Sequence, residues 1–338
     1  MLVILEAGAD DSVVAQVVER IEQLGLKAHV SRGEFRTIIG AIGEEKAAFP
    51  EQLLSLQGVE NVVPIMKPYK LASREFHHAD SQVAVGGVKI GAGRAALIAG
   101  PCAVEDRASC LAIAECVKKQ GANLLRGGAF KPRTSPYSFQ GLGRQGLEIL
   151  AECRERFGLP IVTEVTDPRN VELVSEYADM LQVGARNMQN FVLLAEVGKA
   201  GKPVLLKRGP SSTVTEWLMS AEYILSEGNR QVVLCERGSR GFETEVRFSL
   251  DVSAIALAKH DSHLPVIVDP SHAAGRREVV IPLALAGLAA GADGLIVEVH
   301  LCPEQAQCDG PQALTEAMFA ELMGQVKRVL AIMGKASG

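Results

Sequence analysis

The feature that most constrains the fold is a repeated alternation of an apolar strand-like segment with a helical segment, running from Ala95 onward. The apolar segments are rich in Val, Ile and Leu without polar alternation, which is typical of strands buried on both faces. We expect these strands to end near Gly100, Arg126, Glu164, Val183, Lys207, Cys235, Asp269 and Glu298. Helices are predicted near residues 105–120, 144–157, 167–177, 189–199, 213–227, 250–260, 278–290 and 313–333. Eight such units over about 240 residues predict an α/β fold of the (β/α)8 TIM-barrel type.

The chain before the barrel has a different pattern. Strands are predicted at 2–5, 26–30, 36–42 and 59–65, and helices at 11–24 and 49–56. This β-α-β-β-α-β order is typical of a ferredoxin-like module. We therefore expect a small domain over residues 1–66, a linker and barrel-closing hairpin over 67–94, and a barrel over 95–338.

Composition restricts the function classes. The chain has 338 residues, of which 47% are hydrophobic, and a net charge of −5. An acidic chain with no general basic surface is a poor candidate for nucleic-acid binding. The longest apolar run, residues 279–292, falls short of the ~18 residues that span a bilayer, and no signal peptide is evident. Seven scattered cysteines do not resemble a disulfide framework. We expect a cytoplasmic protein with neither nucleic-acid nor membrane partners.

The stretch from Arg126 to Gly143 combines cations, hydroxyls, prolines and glycines directly after a predicted strand. Arg and Lys side chains suit phosphate or carboxylate, and glycines let the backbone approach a ligand closely. A rigid basic loop of this kind predicts an anion site, although a solvated basic turn is the alternative.

Polar residues also follow the other predicted strands, and in such barrels the carboxyl ends of the strands carry the active site. Six cations are expected to converge there, namely Arg126, Lys131, Arg133, Arg186, Lys207 and Arg237. Each of them alone could be a surface ion pair. Together, in an acidic protein, they indicate a substrate with more than one anionic group.

A second group at these strand ends is Cys102, His272, Glu298 and Asp309. A thiolate, an imidazole and two carboxylates suit Mn, Fe, Co, Zn or Cu rather than Ca. Their separation in sequence provides no ligand-spacing motif. Cys102 could instead be a small buried hydrophobic residue, and His300 is the rival imidazole ligand.

Seven motifs in order now allow a comparison with known families. They are Ala99-Gly100-Pro101-Cys102, Lys131-Pro132-Arg133-Thr134-Ser135, Gly184-Ala185-Arg186-Asn187, Lys207-Arg208-Gly209, Cys235-Glu236-Arg237-Gly238, Asp269-Pro270-Ser271-His272 and Glu298-Val299-His300. Nearly the whole chain resembles 3-deoxy-D-arabino-heptulosonate 7-phosphate (DAHP) synthases of the class I beta type, which carry an amino-terminal ferredoxin-like regulatory domain. The resemblance implies condensation of phosphoenolpyruvate with erythrose 4-phosphate, the first step of the shikimate pathway, with one divalent metal ion (Mn, Fe, Co or Zn).

The resemblance also implies roles for individual positions. The implied metal ligands are Cys102, His272, Glu298 and Asp309. The implied phosphoenolpyruvate ligands are Arg126, Lys131, Arg186, Lys207, Arg237 and the backbone of Gly184 and Ala185. The implied ligands of the sugar phosphate are Arg133, Thr134 and Ser135. Lys131 is the expected proton donor to the new hydroxyl, and Glu164 is expected to position water.

The loop after the last barrel strand departs from the expected pattern, because Cys302 and Cys308 precede Asp309. These two cysteines could form a disulfide under oxidation or remain unmatched loop thiols.

In the small domain, His29 and Ser31 lie where regulated relatives bind an aromatic amino acid, so Tyr or Phe is an expected effector. An ordinary turn in a dimerising module is the alternative. The resemblance further implies a homo-oligomer, which we expect to be a tetramer.

Two rival functions are open. One is the sister synthase that uses arabinose 5-phosphate, against which the Lys-Pro-Arg-Thr-Ser loop argues, since that family carries an Asn in place of the Pro-Arg chemistry. The other is a catalytically silent barrel that senses a metabolite.

Overall fold

The structure is a computed structural model that describes residues 1–33, 36–43, 49–63, 68–132 and 135–338. The chain divides into two compact units, of which the first is Met1–Ala79 with Asp261–His263. The second is Asp80–His260 with Leu264–Gly338. Among the described residues, no helix has the length and apolar character needed to cross a membrane.

The first unit contains an antiparallel sheet with two helices. Its elements are β1 (Leu2–Leu5), α1 (Asp11–Gln23), β2 (Lys27–Arg32), β3 (Thr37–Ile42), α2 (Phe49–Leu54) and β4 (Val59–Val63). The strand order in the sheet is β2-β3-β1-β4, so β2 is an edge strand. The predicted ferredoxin-like order is confirmed.

Local sequence explains the first helix of this unit. The Asp10 side chain accepts hydrogen bonds from the backbone N–H groups of Ser12 and Val13, which caps the start of α1. Val14, Val17 and Ile21 recur at helical spacing and are buried in the core of the unit. One boundary differs from the prediction, because β2 continues to Arg32, two residues beyond the predicted end of the strand at residue 30. Pairing with β3 persists up to Arg32 and Thr37.

The second unit is a closed barrel of parallel strands. The barrel strands are β7 (Arg94–Gly100), β8 (Leu124–Arg126), β9 (Ile161–Glu164), β10 (Met180–Val183), β11 (Val204–Lys207), β12 (Val232–Glu236), β13 (Val266–Val268) and β14 (Gly294–Glu298). Each strand pairs with the next in sequence, and β14 pairs with β7 to close the ring. A short strand, β15 (Ala336–Ser337), pairs with β7 as well. The predicted TIM barrel is confirmed.

The helices of this unit are α3 (Arg107–Lys119), α4 (Arg144–Phe157), α5 (Val171–Tyr177), α6 (Phe191–Lys199), α7 (Val214–Ser226), α8 (Val252–Asp261), α9 (Pro270–Ala274), α10 (Val280–Ala289) and α11 (Glu316–Ile332). The short helix α9 was not predicted. Asp269 caps it by accepting a hydrogen bond from the His272 backbone N–H, and Pro270 occupies its first turn. The helix matters because it carries His272.

A hairpin of β5 (Val83–Val85) and β6 (Val88–Ile90) closes the amino-terminal end of the barrel. Val83, Val85 and Ile90 pack with inward-facing barrel residues in one buried cluster. The turn residue Gly86 lies against Pro160, directly before β9. The opposite, carboxyl-terminal end is therefore the one open to ligands.

Candidate active site

A cavity of about 580 Å³ opens at the carboxyl-terminal end of the barrel. Its lining comprises Lys131, Pro132, Ser135, Ser138, Glu164, Gln182, Gly184, Ala185, Arg186, Lys207, Pro210, Arg237, Arg240, Arg247, Phe248, His272 and Asp309. These residues come from the ends of six strands, β8 to β13, and from the loop after β14. Six of the eight predicted strand ends therefore contribute to one cavity, whereas Cys102 and Glu298, which follow β7 and end β14, do not line it.

The four predicted metal ligands converge beside this cavity. One ligand atom from each of Cys102, His272, Glu298 and Asp309 lies within 4.8 Å of the others. Glu298 is fully buried, and Cys102 is 5% exposed. Two carboxylates, an imidazole and a thiol at this spacing fit a divalent cation of borderline softness. The set is a possible metal site.

Hydrogen bonds orient two of these ligands. The His272 ring places Nδ1 2.7 Å from Asp269 Oδ2, and its Nε2 lies 3.2 Å from Glu298 Oε1. Glu298 Oε2 accepts a hydrogen bond of 2.6 Å from the side-chain amide of Gln312. His272 and Glu298 therefore each have one atom held by an outer partner and another atom directed at the cluster. Second-shell contacts orient metal ligands in this way.

Charge within the cluster favours ionised carboxylates. Burial would raise the pKa of Glu298, but the neighbouring charges of His272 and Arg126 outweigh it and lower that pKa. Burial likewise opposes ionisation of Asp309, whose pKa nevertheless falls to about 2 because His272 and Arg247 lie close. The pKa of the Cys102 thiol is raised by its hydrogen bond with Cys308, by burial and by Glu298. A bound cation would reverse this last effect, since it favours the thiolate.

The alternative imidazole, His300, lies elsewhere. Its Nδ1 accepts a hydrogen bond of 3.1 Å from the Cys302 backbone, and its Nε2 is 3.8 Å from Glu105 Oε2. It is absent from the described cluster of ligand atoms, so His272 is the imidazole at this site.

Arg126 and Lys131 join the cation group to the ligand cluster. Arg126 Nη1 lies 2.9 Å from Glu298 Oε1, and its Nη2 donates to the Cys102 carbonyl at 3.0 Å. Arg126 Nε is buried without a hydrogen-bond partner in the part of the chain that is described. Lys131 Nζ lies 3.2 Å from Cys102 Sγ and 3.1 Å from the Cys102 carbonyl. Burial opposes the charge of Lys131, but Cys102 and Glu164 raise its pKa, so it stays an ammonium.

The remaining described cations line the cavity from other strands. Lys207 forms a buried ion pair with Asp269. The Arg237 guanidinium stacks 4.3 Å from the centre of the Phe248 ring, and burial lowers its pKa. Arg186 Nη1 donates to the Pro132 carbonyl at 3.0 Å. The charge at the cavity is therefore strongly positive outside the ligand cluster.

Gly184 shapes the wall next to Glu164. A side chain at this position would collide with the carboxylate oxygen Oε1 of Glu164. Glycine thus leaves room for Glu164 to face the cavity, beside backbone that a ligand can approach.

The predicted ligands of the sugar phosphate are only partly covered by the described residues. Arg133 and Thr134 fall outside the described residues, whereas their neighbour Ser135 lines the cavity. His29 and Ser31 lie on β2 of the first unit.

The loop cysteines are placed differently from each other. Cys302 is exposed, and Cys308 is 3% exposed with its sulfur 3.2 Å from that of Cys102. Cys308 is therefore a neighbour of the ligand cluster.

Sequence reasoning missed Arg240, Arg247, Phe248 and Gln312. The first three come from the long loop after β12, whose path local sequence does not determine. Gln312 follows Asp309 by three residues, so its proximity to the loop ligand was the available signal.

Comparisons with known proteins agree with this geometry. Residues 70–331 match the DAHP synthetase I family, and residues 1–67 match the DAHP synthase ferredoxin-like domain. A phospho-2-dehydro-3-deoxyheptonate aldolase of Thermotoga maritima is 49% identical over 334 residues, covering 99% of each chain. A 2-dehydro-3-deoxyphosphooctonate aldolase of Desulfatibacillum aliphaticivorans is 37% identical over 262 residues, covering 71% of this chain and 93% of that protein.

Solved structures extend the likeness to three dimensions. The crystal structure of the Thermotoga maritima phospho-2-dehydro-3-deoxyheptonate aldolase (DAHP synthase) superposes with a TM-score of 0.80 at 48% identity, covering 100% of this chain and 99% of that one. A truncated form of the 3-deoxy-D-arabino-heptulosonate 7-phosphate synthase from the same organism gives a TM-score of 0.75 at 46% identity, covering 80% of this chain and 99% of that one. With both parts of its sequence matched and its cavity built from the expected strand ends, this chain belongs to the DAHP synthetase I family.

Proposed function

We propose that this protein condenses phosphoenolpyruvate with erythrose 4-phosphate and water, giving 3-deoxy-D-arabino-heptulosonate 7-phosphate and inorganic phosphate. This reaction is the entry to the shikimate pathway, which leads to chorismate and the aromatic amino acids. The observation that carries the proposal is the meeting of a cationic cavity with the cluster of Cys102, His272, Glu298 and Asp309. The two phosphates and the carboxylate of these substrates suit the cationic cavity, and the aldehyde suits the ligand cluster.

Phosphoenolpyruvate occupies the cationic side of the cavity in this proposal. Its ligands are Arg126, Lys131, Arg186, Lys207, Arg237 and the backbone of Gly184 and Ala185. The unsatisfied Nε of buried Arg126 supports this assignment, because a buried donor without a partner is costly unless a ligand supplies one. Guanidinium groups match phosphate and carboxylate with paired hydrogen bonds.

The phosphate of erythrose 4-phosphate is assigned to Arg133, Thr134 and Ser135. Ser135 at the cavity wall supports this placement. The two substrates then lie on either side of Lys131.

Cys102, His272, Glu298 and Asp309 would hold one divalent ion, for which Mn, Fe, Co and Zn fit the mixed donor set. When bound, such an ion supplies Lewis-acid polarisation of the aldehyde oxygen.

The protein's own groups handle the remaining chemistry. C3 of phosphoenolpyruvate attacks the aldehyde carbon while the basic side chains hold both anions in register, which contributes proximity and electrostatic stabilisation. Lys131, charged and close to Cys102, gives a proton to the oxygen that becomes the new hydroxyl. C3 attack leaves C2 electron-deficient, and Glu164 orients the water that adds there. The proton that this water loses replaces the one given by Lys131. The hemiketal phosphate then collapses to the ketone as its C2–O bond breaks and inorganic phosphate leaves.

The decisive test measures phosphate release with both substrates, with each alone, and with arabinose 5-phosphate replacing erythrose 4-phosphate. We expect release only with phosphoenolpyruvate plus erythrose 4-phosphate, lost in chelator and restored by Mn²⁺. Preference for arabinose 5-phosphate would assign the chain to the sister reaction, and silence with both sugars would leave a sensing barrel. Full activity in chelator would remove the role of the ion.

A crossed pair of variants tests the two subsites. Arg133→Ala should raise KM for erythrose 4-phosphate by roughly 10–100-fold, as expected for the loss of a charged hydrogen bond, and leave KM for phosphoenolpyruvate within a few-fold. Arg186→Ala should show the opposite pattern. Equal effects of either variant on both substrates contradict the assignment.

Feedback control is the second part of the proposal. We propose that Tyr or Phe binds at His29 and Ser31 and inhibits the enzyme, with the chain assembled as a homotetramer. The position of both residues on the edge strand β2 supports this, since an edge strand can pair with a second copy. We expect Tyr or Phe to inhibit the intact chain, and we expect this inhibition to disappear when residues 1–66 are deleted. If neither amino acid changes the kinetics of the intact chain and the deletion leaves the kinetics unchanged, the proposal is wrong.

A further inference from the structure

The fourth ligand, Asp309, differs from the other three in how it is supported. It comes from the loop after β14 and adopts a left-handed backbone conformation with φ 53°. Its side chain is 26% exposed, whereas that of Glu298 is fully buried. A ligand on an exposed loop needs a support that packing alone does not provide.

The two oxygens of Asp309 face different partners. Oδ2 lies 3.3 Å from Cys102 Sγ and 4.0 Å from His272 Nε2, so it is directed at the cluster. Oδ1 accepts a hydrogen bond of 3.4 Å from Arg247 Nη1. This is the arrangement already seen for the other two oriented ligands, in which Asp269 holds His272 and Gln312 holds Glu298 from the outer side.

Arg247 is itself held from two directions. Its backbone N–H donates to the Ala274 carbonyl at 3.0 Å, and that of Phe248 donates to the Ala273 carbonyl at 2.8 Å. Both carbonyls belong to α9, the helix that carries His272. The guanidinium lies 5.8 Å from the centre of the Phe248 ring, which Arg237 also contacts. Arg247 thus connects the helix of one ligand to the loop of another.

We propose that Arg247 is a positioning residue that fixes the Asp309 carboxylate with Oδ2 facing the cluster, so that the fourth metal ligand is preorganised. The proposal rests on the metal site of the proposed function. Two physical effects oppose each other here. The charge of Arg247 repels a cation and so weakens its binding, whereas orienting Asp309 strengthens it. Outer-shell partners of metal ligands are typically worth 10–100-fold in affinity, so we expect orientation to dominate.

The test is a titration of the metal-free full-length protein with Co²⁺. Calorimetry measures the affinity, and the visible d–d absorption of the bound ion reports its coordination. Arg247→Ala should weaken Co²⁺ binding by about 10–100-fold and change the absorption band, because a ligand is misplaced. Arg247→Lys keeps a charged donor and should recover most of the affinity. Arg276→Ala is the matched control, since Arg276 is a neighbouring arginine that pairs with Glu245 on the surface. It should bind Co²⁺ like the wild type.

A double-mutant cycle separates positioning from a general structural effect. In an Asp309→Asn background, Arg247→Ala should have little further effect on Co²⁺ affinity, because the group that it orients has been altered. Equal or tighter binding by Arg247→Ala overturns the inference, as does an equal loss in both backgrounds. If the wild type itself binds no Co²⁺ with Cys102-dependent absorption, the metal site of the proposed function fails instead.

Discussion

The two ends of the barrel are built from the same strands and differ completely in chemistry. At the amino-terminal end, the hairpin β5–β6 adds Val83, Val85 and Ile90 to a buried apolar cluster. At the carboxyl-terminal end, Arg126 and Glu298 are almost fully buried and yet charged. Burial of apolar groups stabilises a fold, whereas burial of ions costs free energy that pairing offsets only in part. The difference indicates that one end is maintained for stability and the other for a ligand, as in TIM barrels generally.

The largest expected effect comes from the charged end. His272→Ala removes an imidazole from the ligand cluster, and we expect kcat/KM to fall by at least about 10³-fold, the loss of roughly 4 kcal/mol of transition-state stabilisation. Steady-state kinetics with both substrates and metal content by elemental analysis measure this. His300→Ala is the control, because His300 is a buried histidine of the barrel but lies outside the ligand cluster. Its kcat/KM should stay within a few-fold of the wild-type value. A comparable loss in His300→Ala would contradict our choice of ligand.

The second prediction tests whether every charged group at this end serves a ligand. Arg208 directly follows β11, and Glu236 is the last residue of β12. Arg208 Nη1 lies 2.9 Å from Glu236 Oε2 and 3.0 Å from Asp251 Oδ2. Neither Arg208 nor Glu236 lines the cavity. Arg208→Met leaves the fully buried Glu236 without its cation, and we expect the free energy of unfolding to fall by about 3–5 kcal/mol. Denaturant unfolding measures the change.

The kinetics of the same variant sharpen the comparison. KM for both substrates should stay within about twofold, because the Arg208–Glu236 pair is structural. Lys207→Met is the contrasting neighbour, because it also breaks a buried ion pair, with Asp269, but Lys207 lines the cavity, so kcat/KM should fall together with stability. If Arg208→Met lowers kcat/KM as much as Lys207→Met does, then Arg208 also serves the ligand. The distinction between structural and ligand-binding charges at this end would then be wrong.

The third prediction concerns the apolar end. Ile90 is fully buried in the barrel cluster, and Ile90→Ala should lower the free energy of unfolding by roughly 3 kcal/mol through lost burial and a residual cavity. The kinetic constants should not change, because the hairpin lies at the end opposite the cavity. Lys89→Ala, an exposed neighbour on the same hairpin, should leave stability within about 0.5 kcal/mol. A changed KM in Ile90→Ala would show that the two ends are coupled.

Much of this two-ended design could be predicted from the sequence. Unbroken Val, Ile and Leu runs identify strands buried on both faces, and the residues directly after such strands are brought to one end of a parallel barrel by its geometry alone. That is why Cys102, His272 and Glu298 could be brought together from positions far apart. The hairpin was predicted too, because Gly86 and Gly87 separate two short apolar runs.

The contacts made by loops could not be predicted in this way. Arg247 lies in a long segment after β12, and its approach to Asp309 depends on backbone hydrogen bonds to α9, a helix that was itself missed. For Cys308, the sequence left open a disulfide with Cys302 or an unmatched loop thiol, and the fold places its sulfur 3.2 Å from that of Cys102. Periodicity describes regular elements, whereas the path of a long loop depends on tertiary contacts that no local pattern encodes.

The smallest expected effect concerns a polar group near the charged end that serves only a helix. Thr213 accepts a hydrogen bond of 3.1 Å from the Glu216 backbone, and Glu216 accepts one of 2.7 Å from the Thr213 backbone, which forms a capping box at the start of α7. Thr213→Ala should lower the free energy of unfolding by about 1 kcal/mol, as measured by denaturant unfolding, with unchanged kcat and KM. Thr213→Ser retains the capping oxygen and should recover most of the loss. Helices that follow parallel strands begin at the same end of the barrel as the active site. A kinetic defect in Thr213→Ala would therefore mean that a helix cap also affects the cavity. In that case the groups at this end could not be divided into stabilising and ligand-binding ones.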